Sequence, residues 1–139
     1  MKIKILVVDD EPEITESLVR ILRIEGYDAT GVTNPLTALE MVKKENYLIV
    51  ISDIQMPEMR GTELLRSIKE YNGMIQVIII TGYVTIDNIL TCLRRGANDC
   101  FFKPLKDSKE LLNAVKVATG KLERWEQVIS EMVRVKAAS

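Results

Sequence analysis

Leu6-Val7-Val8-Asp9-Asp10-Glu11 and Leu48-Ile49-Val50-Ile51-Ser52-Asp53 decide the fold. In each stretch a run of aliphatic residues stops abruptly on an acid. A strand with one solvated face alternates apolar and polar residues. A run without polar breaks is buried on both faces, as in a parallel sheet covered by helices. Val77–Ile80 repeats the pattern. The strand candidates are Lys2–Val8, Tyr27–Val32, Leu48–Ser52, Ile75–Thr81 and Asp99–Phe102.

Helical periodicity fills the intervals. Pro12–Glu25 carries Ile14, Leu18, Ile21 and Leu22 at helical spacing, with Pro12 suited to a first turn and Gly26 to a C-terminal cap. Pro35–Glu45 carries Leu36, Leu39 and Val42. Gly61–Tyr71 carries Leu64, Leu65 and Ile68. Ile86–Arg95 carries Ile86, Ile89, Leu90 and Leu93 and ends at Gly96. Asp107 or Ser108 caps a last helix through Leu111, Leu112 and Val115. Five strands alternating with five helices predict an α/β, doubly wound parallel sheet with right-handed crossovers. In such sheets, sites form beyond the carboxyl ends of the strands.

Polar residues cluster where the apolar runs stop: Asp9, Asp10 and Glu11 after the first strand, Asp53 after the third, Thr81 at the end of the fourth, Lys103 after the fifth. Singly, each is an ordinary turn, cap or surface residue. Together they converge on one sheet edge. Three aspartates in close array repel one another, and a hard divalent cation with oxygen ligands relieves that repulsion. Mg²⁺ binds through one or two carboxylates plus phosphate oxygens. A lysine adds a point charge for phosphate and a threonine one hydrogen-bond donor. A carboxylate is also a competent nucleophile for phosphoryl transfer.

The remaining composition narrows the choices. The chain has 139 residues, net charge −1 and no histidine. The absence of histidine removes Ser-His-Asp and Cys-His catalysis and histidine-ligated metals. Neither G-x-G-x-x-G nor G-x-x-x-x-G-K-[ST] occurs, which argues against a nucleotide-binding enzyme. Near-neutral charge argues against direct nucleic-acid binding. No apolar run is long enough to span a membrane. Met1 leads straight into a strand without signal-peptide features, and Cys92 and Cys100 read as reduced core residues, so the expected location is cytoplasmic.

The set Leu6-Val7-Val8-Asp9-Asp10-Glu11, Ser52-Asp53-Ile54-Gln55-Met56-Pro57 with Gly61, Ile80-Thr81-Gly82, Gly96-Ala97-Asn98-Asp99 and Lys103-Pro104 closely resembles the response-regulator receiver domains of bacterial two-component systems (CheY-like). The resemblance covers residues 2 to about 118. It implies strand order 2-1-3-4-5 and a role for each matching position. Asp53 is the phosphoacceptor. Asp10 is the direct metal-binding acid, and Asp9 acts mainly through a metal-bound water. Gln55 offers its backbone carbonyl to Mg²⁺. Thr81 is the switch hydroxyl and Lys103 the phosphate-binding lysine, in a Lys103–Pro104 bond that is usually cis. The implied function is a phosphorylation-switched signalling domain rather than an enzyme acting on an external substrate. It takes phosphoryl from a phosphohistidine on a partner histidine kinase or phosphotransfer protein, and catalyses only its own phosphorylation and dephosphorylation. The implied output surface is formed by the fourth helix, fifth strand and fifth helix.

Two features depart from that pattern. Three residues before the lysine the family carries Tyr or Phe, whereas this chain has Cys100, too small to fill the same pocket. Either Tyr83 takes over the ring's role or switching proceeds by loop and helix shifts. A bulky Tyr83 would also slow hydrolysis of the acyl phosphate. The second departure is the tail. Leu111, Val115, Ala118, Leu122, Trp125, Ile129 and Met132 follow a heptad rhythm past the point where a receiver is complete. The expected division is a receiver domain over 1–118 and a helical C-terminal extension over 119–139. That extension forms a homodimer or leads into an output domain, unless Gly120 caps the helix and the tail folds back or frays. A receiver fold used only for interaction, without phosphotransfer, is the remaining alternative.

Overall fold

The computed structural model describes residues 2–82 and 85–138. Its order is β1 (Lys4–Val8), α1 (Pro12–Ile24), β2 (Asp28–Val32), α2 (Pro35–Lys44), β3 (Tyr47–Ser52), α3 (Gly61–Tyr71), β4 (Gln76–Thr81), α4 (Ile86–Arg94), β5 (Asp99–Phe102) and α5 (Ser108–Ala138). The strands form one parallel sheet in the order β2-β1-β3-β4-β5. The expected α/β architecture and strand order are both present.

Local chemistry accounts for the boundaries. Pro12 and Pro35 begin α1 and α2, where a missing N–H costs nothing. Asn34 caps α2 by accepting from the N–H groups of Leu36 and Thr37. Gly26 and Gly96 end α1 and α4 with φ of 93° and 91°, the left-handed geometry that glycine adopts without strain. Asp107 accepts from the Lys109 N–H at the start of α5.

Every residue of β3 and β4 is buried, as their unbroken apolar runs predicted. Successive crossovers of one hand place α2, α3 and α4 side by side on one face, and α1 and α5 on the other. β1 begins at Lys4 rather than Lys2, because its ladders to Asp28 and Tyr47 begin there. Lys4 also places its ammonium 4.4 Å from the centre of the Tyr47 ring.

Two helices differ from their periodicity. In α4 only Cys92 is buried, and Ile86, Leu90 and Leu93 are exposed. The helix flanks the four-residue edge strand β5, which offers too little surface to cover a full apolar stripe. Leu36 of α2 is likewise exposed, and Pro35, Ala38 and Val42 pack instead. In α5 the helix passes through Gly120 without a break, so the fold-back alternative does not hold. Its stripe is buried through Leu111, Val115, Ala118 and Leu122, then becomes exposed at Trp125, Ile129 and Met132.

A polar knot ties the amino ends of β4 and β5. Asn98 Oδ1 accepts from the Val77 N–H at 2.7 Å and from Lys69 Nζ at 3.1 Å, and its Nδ2 donates to Gln76 Oε1 at 2.8 Å. Lys69 Nζ also donates to the Ile75 carbonyl. Burial, assisted by the charge of Lys121, lowers the pKa of Lys69 below the usual lysine range. Asn98→Ala removes the side-chain partner of the Val77 N–H and of Gln76 Oε1 and one of two acceptors of the Lys69 ammonium. The expected loss is about 1–3 kcal/mol, read by urea denaturation; an unchanged midpoint would contradict it.

Candidate functional site

The parallel ladders deliver the functional groups to one edge. The Asp9 N–H donates to the Val32 carbonyl, the Asp53 N–H to Val8 and the Lys103 N–H to Thr81, so each residue extends a ladder one step past its strand. Asp53, Asp10, Glu11, Thr81 and Lys103 then line a single cleft of about 700 Å³. Carboxylate oxygens of Asp9, Asp10 and Asp53 lie within 4.8 Å of one another. Asp9 and Asp53 are buried, Asp10 half-buried, and Thr81 wholly buried.

The Lys103 ammonium bridges two of these acids, 2.6 Å from Asp9 Oδ2 and 2.8 Å from Asp53 Oδ2. Burial works to lower the lysine's pKa, but its hydrogen bonds to Asp53 and Asp9 prevail and hold it above the usual range. Burial pushes the Asp9 carboxyl up, against the opposing pull of Lys103 and the Glu11 N–H. One lysine therefore compensates part of the charge of three acids. The oxygen-only cluster suits a hard divalent cation in size and chemistry.

Each acid is held by its own turn. Asp53 Oδ1 accepts from the N–H groups of Ile54 at 2.7 Å and Gln55 at 3.2 Å. The Asp53 carbonyl accepts from the Ser52 hydroxyl at 2.9 Å. The Thr15 hydroxyl, which the sequence did not single out, donates to the Asp9 carbonyl at 2.9 Å and fixes the turn between β1 and α1. Gly61 opens α3 directly behind Asp53, and its N–H donates to the Ile54 carbonyl at 2.8 Å. A Cβ there would overlap the Asp53 carbonyl oxygen and the Ile54 Cα.

All of the expected site residues meet at this edge. Gln55 lines the cleft. The Lys103–Pro104 bond is cis. Cys100 is half-buried on β5, and Phe102, two residues on, is largely exposed. Burial, with Cys92 and Asp99 nearby, raises the Cys100 thiol to about 11. Tyr83, the proposed substitute ring, lies outside the described residues. Arg60 and Asn88 also line the cleft. They went unmarked because neither belongs to a strand end, although Arg60 stands directly before Gly61.

The sequence model of the response regulator receiver domain matches residues 5–116. The chain is 40% identical over 108 residues to the transcriptional regulatory protein ZraR of Klebsiella oxytoca, covering 78% of this chain and 24% of that protein. It is 39% identical over 116 residues to the sporulation initiation phosphotransferase F of Bacillus subtilis, covering 84% and 93%. The crystal structure of a CheY-like response regulator receiver domain protein from Methanospirillum hungatei superposes with a TM-score of 0.85 at 30% identity, covering 89% of this chain and 98% of that one. The chain thus spans under a quarter of the length of the first of these relatives and nearly all of the second.

The placement of Gly61 predicts a contrast between glycines. Gly61→Ala drives a methyl group into main-chain atoms of Asp53 and Ile54 and costs about 1–3 kcal/mol. Gly120→Ala, in open space within a helix, raises stability by ~1 kcal/mol. Chemical denaturation of both variants beside the parent checks the pair; equal midpoints would remove the packing argument.

Proposed function

The chain belongs to the response regulator receiver domain family, and from that membership we propose that Asp53 is its phosphoacceptor. The observation that carries the reading is the bridge from Lys103 to Asp9 and Asp53 inside an acidic cleft. A carboxylate oxygen of Asp53 attacks the phosphorus of a phosphohistidine on a partner histidine kinase or phosphotransfer protein. The new O–P bond forms as the P–N bond breaks, and the imidazole leaves with the electron pair. Because this chain has no histidine, the donor belongs to another molecule or to another part of a longer polypeptide.

Asp9, Asp10 and Asp53, with the Gln55 carbonyl, are the groups that would hold Mg²⁺. The bound ion would supply positive charge to the carboxylates and to the incoming phosphoryl oxygens. The chain's own residues do the positioning. The Ile54 and Gln55 N–H groups orient the acceptor carboxylate. Lys103 follows the charge from the carboxylate to the phosphoryl group, and the Thr81 hydroxyl is the second donor at the cleft floor. The apolar residues Ile86, Leu90, Leu93 and Phe102, exposed on α4 and β5, form the surface through which the phosphorylated state is read.

The same reading divides the chain into a receiver to about residue 118 and an extension over 119–139 that pairs with a second copy. Support comes from α5. An isolated helix of the length beyond Leu122 is marginal in water, yet this one exposes Trp125, Ile129, Met132 and Val133.

Two measurements test these assignments. Incubation with acetyl phosphate and Mg²⁺ adds one phosphoryl group by mass spectrometry to the parent and none to Asp53→Ala; an unmodified parent would leave the fold as an interaction module only. Sedimentation finds the full chain dimeric and a chain ending at Thr119 monomeric. Two monomers would dispose of the pairing.

A further inference from the structure

Resting on the phosphoacceptor reading, we infer that Arg60 recruits the phosphodonor by its negative charge and so makes the cleft selective for doubly anionic donors. The cleft mouth poses an electrostatic problem. A donor phosphoryl group arrives as an anion, yet the walls present Asp10, Glu11 and Asp53. The one lysine there is already committed: Lys103 is largely buried, with its ammonium in contact with both Asp9 and Asp53. An approaching dianion therefore meets a net negative field before it reaches the acceptor.

Arg60 is the other cation on the wall. It occupies the N-cap position of α3 but makes no side-chain cap. Its guanidinium has no ion pair or hydrogen bond among the described residues, and the residue is exposed. Its backbone, by contrast, is anchored. The Arg60 carbonyl accepts from Glu63 and Leu64, the neighbouring Gly61 N–H bonds to Ile54, and Arg95 Nη1 donates to the Thr62 carbonyl at 2.8 Å. A free, always-charged side chain on a fixed backbone beside the acceptor loop presents its positive charge to phosphate oxygens. Its attraction raises the local concentration of anions at the cleft and screens the repulsion of Asp10 and Glu11. Asn88, on the first turn of α4, faces the same space with a neutral amide and adds no charge.

The charge of the donor separates this role from a structural one. With acetyl phosphate, which is doubly negative at neutral pH, the Asp53 oxygen–phosphorus bond forms as the bond from phosphorus to the acetate oxygen breaks, and acetate leaves with the electron pair. Phosphoramidate supplies the same phosphoryl group with one net negative charge, and ammonia leaves. Initial rates of phosphorylation in Mg²⁺ are measured with both donors for the parent, Arg60→Gln, Arg60→Lys and, as a charge-matched control outside the cleft, Arg66→Gln. Arg60→Gln is expected to slow the acetyl phosphate reaction roughly threefold to tenfold and the phosphoramidate reaction less than about twofold. Arg60→Lys and Arg66→Gln stay near the parent, and the deficit of Arg60→Gln shrinks as salt is raised. Equal rates for Arg60→Gln and the parent would overturn the inference. So would an equal loss with both donors at all salt concentrations, which marks a structural defect. A parent that accepts phosphoryl from neither donor brings down the phosphoacceptor reading, and this one with it.

Discussion

The attraction between one ammonium and two buried carboxylates governs the rest of this molecule. Asp9 and Asp53 are withdrawn from water at the end of adjacent strands, where isolated charges would be costly to hold. Lys103 makes the arrangement tolerable at 2.6 and 2.8 Å, but a single lysine leaves the cluster with excess negative charge. The site is therefore built to accept more positive charge. Backbone N–H groups hold the Asp53 carboxylate in orientation whatever becomes of Lys103. The Asp53 carboxylate is thus held aligned while the cluster's counter-charge stays incomplete.

Much of this geometry was legible because parallel sheets obey strict rules. The unbroken runs Leu48–Ile51 and Val77–Ile80 require helices on both faces, and that requirement brings strand ends to a common edge. Asp9, Asp53 and Lys103 then follow from counting one step beyond their strands, and Thr81 from the last residue of its own. What could not be counted was the partner of each group. Lys103 reads from sequence as a phosphate ligand, but a lysine's long stem reaches several oxygens, and only coordinates reveal that it spans two acids. Thr15 escaped notice because its hydroxyl acts on the main chain from within an otherwise apolar helix face. Arg60 and Asn88 lie on loop and helix starts, where no periodicity assigns a direction.

The helices divide in the same way. Periodicity marks an apolar stripe but not the surface available to cover it. In α1 and α3 the central sheet supplies that surface. In α4 the neighbouring strand is short and at the edge, so Ile86 and Leu93 remain in solvent. In α5 the same heptad rhythm serves two ends in succession, the receiver's own core up to Leu122 and an uncovered stretch from Trp125. The continuity of the helix through Gly120 follows from packing on both sides of it, which outweighs a glycine's modest preference against helix.

The two ends of the sheet differ in how their polar groups are satisfied, and that asymmetry sets where change can occur. At the amino end, Asn98, Gln76 and the Lys69 ammonium exchange hydrogen bonds with carbonyls and amides, and among the described residues no carboxylate is a partner in that network. At the carboxyl end, Asp9, Asp10 and Asp53 answer to any added cation or anion. A rearrangement that begins at Asp53 meets β4 and β5 already pinned at their starts. At the other end Gly82, Asn88 in the first turn of α4 and Lys103 before Pro104 line the cleft. Ile86 and Leu90 on α4 and Phe102 on β5, all exposed, are close in sequence to Asn88 and Lys103. The sheet thus joins an edge fixed by hydrogen bonds to an edge where carboxylate charge gathers.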